Sequence, residues 1–159
     1  MNDVTIVRAI HVIAVVLWIG GVGMVTTVLL PAVRQFKSAE DRVAFFERLE
    51  RRFAWQARGT TLVTGASGFF MVQRLDLWPQ FGSGQYWYLD AMVAVWVLFT
   101  FMLFVAEPLF LDRWFAVQAR RDPNRIFSII QRLHWVLLVL SLITVGGAVA
   151  GAHGLSLFG

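Results

Sequence analysis

The 159-residue sequence contains no cysteine, which excludes disulfides, thiolate metal sites and thiol nucleophiles. Charge is scarce, at 15% of residues against roughly 25% in an ordinary soluble domain. A single lysine, Lys37, is present. No Gly-rich phosphate loop, HExxH pattern or paired-carboxylate motif occurs, so nucleotide-binding and hydrolase chemistry have no support.

Apolar residues fill the space left by charge. They make up 58% of the chain, with a mean hydropathy of +0.66. They gather in four blocks, each long enough to cross a bilayer core of roughly 30 Å. Such a chain is neither disordered, nor a nucleic-acid binder, nor a soluble enzyme. The blocks predict helices over about 4–30, 53–75, 88–110 and 126–157, joined by cytoplasmic loops at 31–52 and 111–125. The first block is too long for a signal-peptide core and has a poor n-region, so it reads as a retained membrane helix. Pro31 is expected to end it.

Capping signals sharpen the restarts. Ser38-Ala39-Glu40-Asp41 resembles a capping box. Val43, Phe46, Leu49 and Phe53 follow at helical spacing, so the second helix is expected to begin early, as an amphipathic stalk. Asp122-Pro123-Asn124 places proline near a first helical position. The fold class expected is therefore all-α: one domain over 1–159, an integral membrane up-down four-helix bundle with short connections.

The net charge of +4 bears on orientation. Arg34, Lys37, Arg42, Arg48, Arg51, Arg52 and Arg58 surround the first long connection, and Arg113, Arg120, Arg121, Arg125 and Arg132 the last. Only Arg8 and Arg74 remain for the opposite face, where Trp78, Tyr86, Trp87 and Tyr88 form an aromatic belt. The positive-inside bias then places both basic loops in the cytoplasm and both termini in the periplasm of a bacterial inner membrane. Gly20, Gly21 and Gly23, Gly65 to Gly68, and Gly146, Gly147 and Gly151 permit close helix approach. Glycine-rich faces on the first and last helices also make a homodimer plausible.

Function must come from polar groups placed where lipid makes them costly. The three histidines, His11, His134 and His153, all lie in or at the end of the first and fourth helices. Inward histidines in a helix bundle are a means of holding haem; a copper-type ion and a purely structural role are the alternatives. Along antiparallel helices at 1.5 Å per residue, His11 lies about 10 Å below the outer surface, while roughly 28 Å of helix separates His134 from His153. Depth therefore pairs His11 with His153 as first choice, leaving His134 for a second site or a haem reached from a neighbouring chain. Met92 is an alternative sixth ligand. Arg8, one turn before His11, and Arg74 could meet haem propionates. Trp18 lies two turns deeper on the His11 side, and Trp96 and Phe104 could flank the same cavity. Arg58 and Glu107 match in depth as an ion pair, and Asp90 is placed to cap the third helix.

The run Val7-Arg8-Ala9-Ile10-His11 through Trp18-Ile19-Gly20-Gly21 resembles the first helix of copper-resistance D-type membrane proteins. It is similar also to HemJ-type protoporphyrinogen oxidases. The ending from Arg132-Leu133-His134-Trp135 to Gly151-Ala152-His153-Gly154 looks like that of small proteobacterial membrane proteins in the same broad group. The resemblance implies haem b, one or two per chain, with His11 as a ligand. The expected function is a small membrane cytochrome in electron transfer, its redox partner or quinol unspecified. A porphyrin-oxidising oxidoreductase and a haem-free copper transport or assembly protein are the alternatives.

Overall fold

The computed structural model describes residues 2–36 and 38–154. Helix α1 (Asn2–Met24) continues through a π-helical segment, Val25–Leu29, into α2 (Leu30–Val33) as one rod. Helix α3 runs over Ala39–Arg74, and two single 3-10 turns, Trp78–Gln80 and Gly84–Tyr86, follow. Helix α4 (Trp87–Phe101) passes through a second π-helical segment, Met102–Leu111, into α5 (Asp112–Arg121). Helix α6 spans Pro123–Ala152. No strand occurs among the described residues, so the all-α expectation holds.

Three segments are long and apolar enough to cross a membrane: Asp3–Val33, Gly84–Leu111 and Pro123–Ala152. Helix α3 departs from the sequence-based expectation of a fourth apolar span. Its 36 residues give a rod of roughly 54 Å at 1.5 Å per residue. The first half is a charged amphipathic stalk. The second half exchanges large apolar side chains for Thr60, Thr61, Thr64, Ser67 and three glycines.

The other boundaries move for local reasons. Pro31 does not stop the first rod, which continues to Val33. The predicted loop at 111–125 is mostly the helical continuation α5. Ser38 caps α3 by accepting from the Asp41 amide at 3.3 Å, and Asp122 caps α6 by accepting from the Arg125 amide at 3.0 Å. Each satisfies one of the orphan donors of a helix start. Asp90 caps nothing. Its carboxylate accepts from the Gly82 amide and pins the turn where Gly82 sits at φ +75°. The predicted last turn of the fourth helix, 155–157, lies outside the described residues.

Neighbouring rods run antiparallel. On α1 and α3, Asp3 meets Arg74, His11 meets Thr64 and Ser67, and the Leu17 carbonyl meets Gln56. On α3 and α4, the Trp96 indole donates to the Thr61 carbonyl at 2.9 Å. Gly65 lies against that ring, where a Cβ would overlap it. Tyr88 of α4 fills the gap at Gly151 of α6 in the same way. Helix α6 crosses the first rod where Leu138 packs at Gly23 and Gln131 meets Thr26.

Two apolar clusters form the interior. Val25, Leu29, Leu30, Val33, Phe46, Ile126 and Phe127 pack toward the basic connections. Trp18, Ile19, Val22, Phe99 and Leu138 pack nearer the middle of the rods. The outer faces of α1, α4 and α6 expose Ile13, Val16, Val97, Leu142 and Ile143, a surface suited to lipid and costly in water.

Candidate functional site

A cavity of about 600 Å³ opens between the rods, within the range of roughly 300–1,000 Å³ common for cofactor and small-ligand sites. Trp18, Val22, Val25 and Leu29 form one wall, Phe99 to Phe115 another, and Ile129 to Leu137, with His134 among them, a third. Helix α3 contributes Phe46 to Arg58, including Glu47, Glu50 and Arg51 at the stalk end. The interior is thus mostly apolar, with convergent polar groups toward the basic end of the molecule.

Both π-helical segments border this cavity, and each has a proline as its local cause. In a π register the amide of residue i meets the carbonyl of residue i−5. The Leu30 amide does so, donating to the Val25 carbonyl. The next residue, Pro31, has no N–H to offer the Thr26 carbonyl. The Gln131 amide donates to that carbonyl instead, at 2.7 Å from α6. Pro108 likewise leaves the Leu103 carbonyl without its backbone donor. Arg58 supplies one from α3, its Nε donating to the Leu103 carbonyl at 3.1 Å.

The same guanidinium reaches Glu107 with its second arm, Nη2 to Oε1 at 3.0 Å, and stacks 5.8 Å from the Trp55 ring centroid. The ion pair expected from depth alone is therefore present, and its geometry follows from the proline. A guanidinium has rigidly spread donors, so it satisfies a freed carbonyl and a carboxylate in one plane. Sequence reasoning missed Gln131 and the Leu103 carbonyl. The available signal was a proline inside each of two apolar runs.

The three histidines occupy three different settings. His134 lines the cavity, its Nδ1 donating to the Ile130 carbonyl at 3.0 Å. His11 lies between α1 and α3, its Nδ1 3.1 Å from the Thr64 carbonyl and 2.9 Å from Ser67 Oγ. His153 ends α6, exposed, with Nδ1 donating to the Val149 carbonyl at 2.8 Å. A carbonyl oxygen only accepts, so in each neutral ring Nδ1 carries the proton and Nε2 keeps its lone pair. That tautomer is the one in which a histidine ligates a metal through Nε2.

The crossing of α1 and α6 fixes relative depth. Gln131 is level with Thr26, and Leu138 with Gly23. His134 is therefore level with Gly23 to Thr26, which puts His11 about 18–22 Å farther along the rod at 1.5 Å per residue. His11 and His134 are too far apart to flank one haem iron. Neither His11 nor His153 is part of the cavity wall, and among the described residues no three His, Cys, Asp or Glu side chains cluster to hold a metal ion.

The remaining candidates separate similarly. Trp18 is buried in the cavity wall, edge-on to Phe99 at a centroid distance of 4.9 Å. Arg8 is exposed. Arg74 holds the Asp3 carboxylate at 2.6 Å, so its charge is already matched. Trp96 serves the α3–α4 contact, and Phe104 is exposed. Comparison with family models, with curated proteins and with solved structures finds no match to this chain. The first-helix resemblance accordingly rests on its own residues.

Proposed function

We propose that the chain is a small multi-pass protein of the bacterial inner membrane that binds haem b and moves electrons. In this reading the four rods form an up-down bundle with both termini periplasmic, supported by twelve of fourteen basic residues flanking the two connections at the other end. Helix α3, too polar to face lipid on all sides, crosses with its Thr61, Thr64 and Ser67 face buried against its neighbours and its Leu62, Val63 and Phe69 face outward.

The observation that carries the reading is His134. It stands in the wall of an apolar cavity with Nδ1 fixed by a carbonyl and Nε2 uncommitted. The residues present fit a haem: an imidazole for the iron, Trp18 and Phe99 as apolar walls, and Arg51 at the stalk end for an anionic propionate, beside Glu47 and Glu50. Bound there, haem would supply one-electron chemistry at a potential set by axial ligation and burial. The chain's own work is to hold the imidazole tautomer, exclude water with the two apolar clusters, and keep Arg58 oriented through Glu107. The geometry favours His134 over the His11–His153 pair as the ligand set, and haem over a copper ion, because a single imidazole beside a large apolar cavity suits a macrocycle.

The test is a visible spectrum of the detergent-purified protein before and after dithionite. A Soret band with sharp reduced α and β bands is expected, abolished or shifted in His134→Ala and retained in His11→Ala and His153→Ala. A colourless protein that yields no haem to acid-acetone would refute the proposal. Loss of haem in His11→Ala, with His134→Ala unaffected, would move the site to the other end of the rods.

A further inference from the structure

Beyond the cavity, toward the chain termini, the interface of α1, α3 and α4 holds a line of polar groups with no visible reason to be there. The buried face of α3 runs Ala54, Ala57, Thr61, Thr64 and Ser67. Ala57 still lines the cavity; the next three positions are all hydroxyls, and the last two meet His11. Thr61 is 0% and Thr64 6% exposed, yet neither Oγ1 has a hydrogen-bond partner. Trp18 Nε1 on α1, 3% exposed, and Thr100 Oγ1 on α4 are in the same position.

These orphan groups share one stretch of the molecule. The Trp96 bond to Thr61 and the Arg58 bond to Leu103 bracket Thr100 in depth between Thr61 and Arg58. Gln56 meets the Leu17 carbonyl, which sets Trp18 beside Ala57 at the end of the cavity. From Arg58 to Ser67 the distance along α3 is about 14 Å. Threonine in a membrane helix ordinarily silences its hydroxyl by donating to the carbonyl one turn back, as Thr26, Thr60 and Thr144 do here. Thr61 and Thr64 do not. An unbonded hydroxyl shut inside a hydrocarbon layer is strongly disfavoured, and buried polar groups without protein partners are where internal water binds.

We propose that this seam is a hydrated track. A short file of water molecules is held by Thr61, Thr64, Thr100 and the Trp18 indole, admitted when α1, α3 and α4 part by a water's width because the orphan atoms are closed to solvent as packed. It links the cavity to His11 and gives protons a route to the cavity from the end of the bundle that carries the termini. Ser67 anchors the far end. Its hydroxyl donates to the Val63 carbonyl at 2.6 Å, which leaves its oxygen free to accept from His11 Nδ1. The track depends on these side chains alone and holds with or without a bound cofactor.

The absence of native cysteine makes the test direct. Thr61→Cys, Thr64→Cys and Ser67→Cys each introduce one thiol of nearly the same shape. Leu62→Cys and Val63→Cys, on the exposed face of the same helix, serve as controls. In phosphatidylcholine vesicles, silver ion reaches thiols only through water. Silver should protect the three seam thiols from later maleimide labelling in denaturant and leave the two lipid-facing thiols unprotected. Unprotected seam thiols, or equal protection of the controls, would overturn the proposal. A second measurement covers variants that misfold. Thr61→Val and Thr64→Val should lower the thermal midpoint, because each removes a partner of bound water. An unchanged or raised midpoint would mean that the hydroxyls sit in a dry seam, and would also overturn it.

Discussion

The two π-helical segments border the same cavity and carry the same backbone defect, but they are repaired with different chemistry. At Pro31 the freed Thr26 carbonyl is met by the neutral amide of Gln131. Val25, Thr26, Leu29 and Leu30 are all buried there, and the Thr26–Gln131 contact itself is sealed off from the cavity wall. At Pro108 the freed Leu103 carbonyl is met by the Arg58 guanidinium, which also needs Glu107 to balance it. Burying an unpaired charge costs far more than burying an amide, so the sealed site uses glutamine. The cavity-facing site retains enough polarity for an ion pair. One segment is a structural repair; the other places charge in the wall of the cavity that His134 also lines.

Substitutions can break that comparison, and the largest effect is expected at Arg58. Arg58→Leu removes the ion pair to Glu107 and the donor to the Leu103 carbonyl together, and should cost about 3 kcal/mol, the scale for breaking a mostly buried pair. The thermal midpoint in detergent reads it, and Arg58→Leu with Glu107→Leu should recover part of the loss. A smaller effect is expected at the neutral site. Gln131→Leu leaves one buried carbonyl without a donor, a cost of about 1–2 kcal/mol, with no change in any haem spectrum.

Adding Pro31→Ala to Gln131→Leu sharpens the point. The restored backbone N–H can reach Thr26 itself, so the double variant should be more stable than Gln131→Leu alone. If it is not, the proline is not the cause of the freed carbonyl. The smallest effect belongs to the exposed pair at the terminal end. Asp3→Asn removes the partner of Arg74, yet both side chains are solvated and such pairs contribute little. Its thermal midpoint should match that of the unmodified protein.

Much of this was legible in the residues. Asp122 and Ser38 announced their helix starts because capping is local chemistry between neighbours in sequence. Arg58 and Glu107 could be paired by depth because antiparallel helices of known rise fix axial position. What failed was rotation about the helix axis. Depth made His11 and His153 the first-choice pair and set His134 apart, but which ring faces a cavity depends on how each helix is turned against its neighbours. Asp90 failed for a related reason: a turn residue, Gly82, came within reach only once the chain had folded back.

The sequence by itself determined that the chain is helical, too apolar for water over long stretches, asymmetric in charge and free of thiol chemistry, because composition and periodicity are properties of the chain alone. Only the tertiary structure decided that α3 carries a polar face inward, that Gln131 and Arg58 answer the two prolines, and that His134 alone among the histidines borders the cavity. Each of these depends on partners far apart in sequence, brought together by packing that no local pattern encodes.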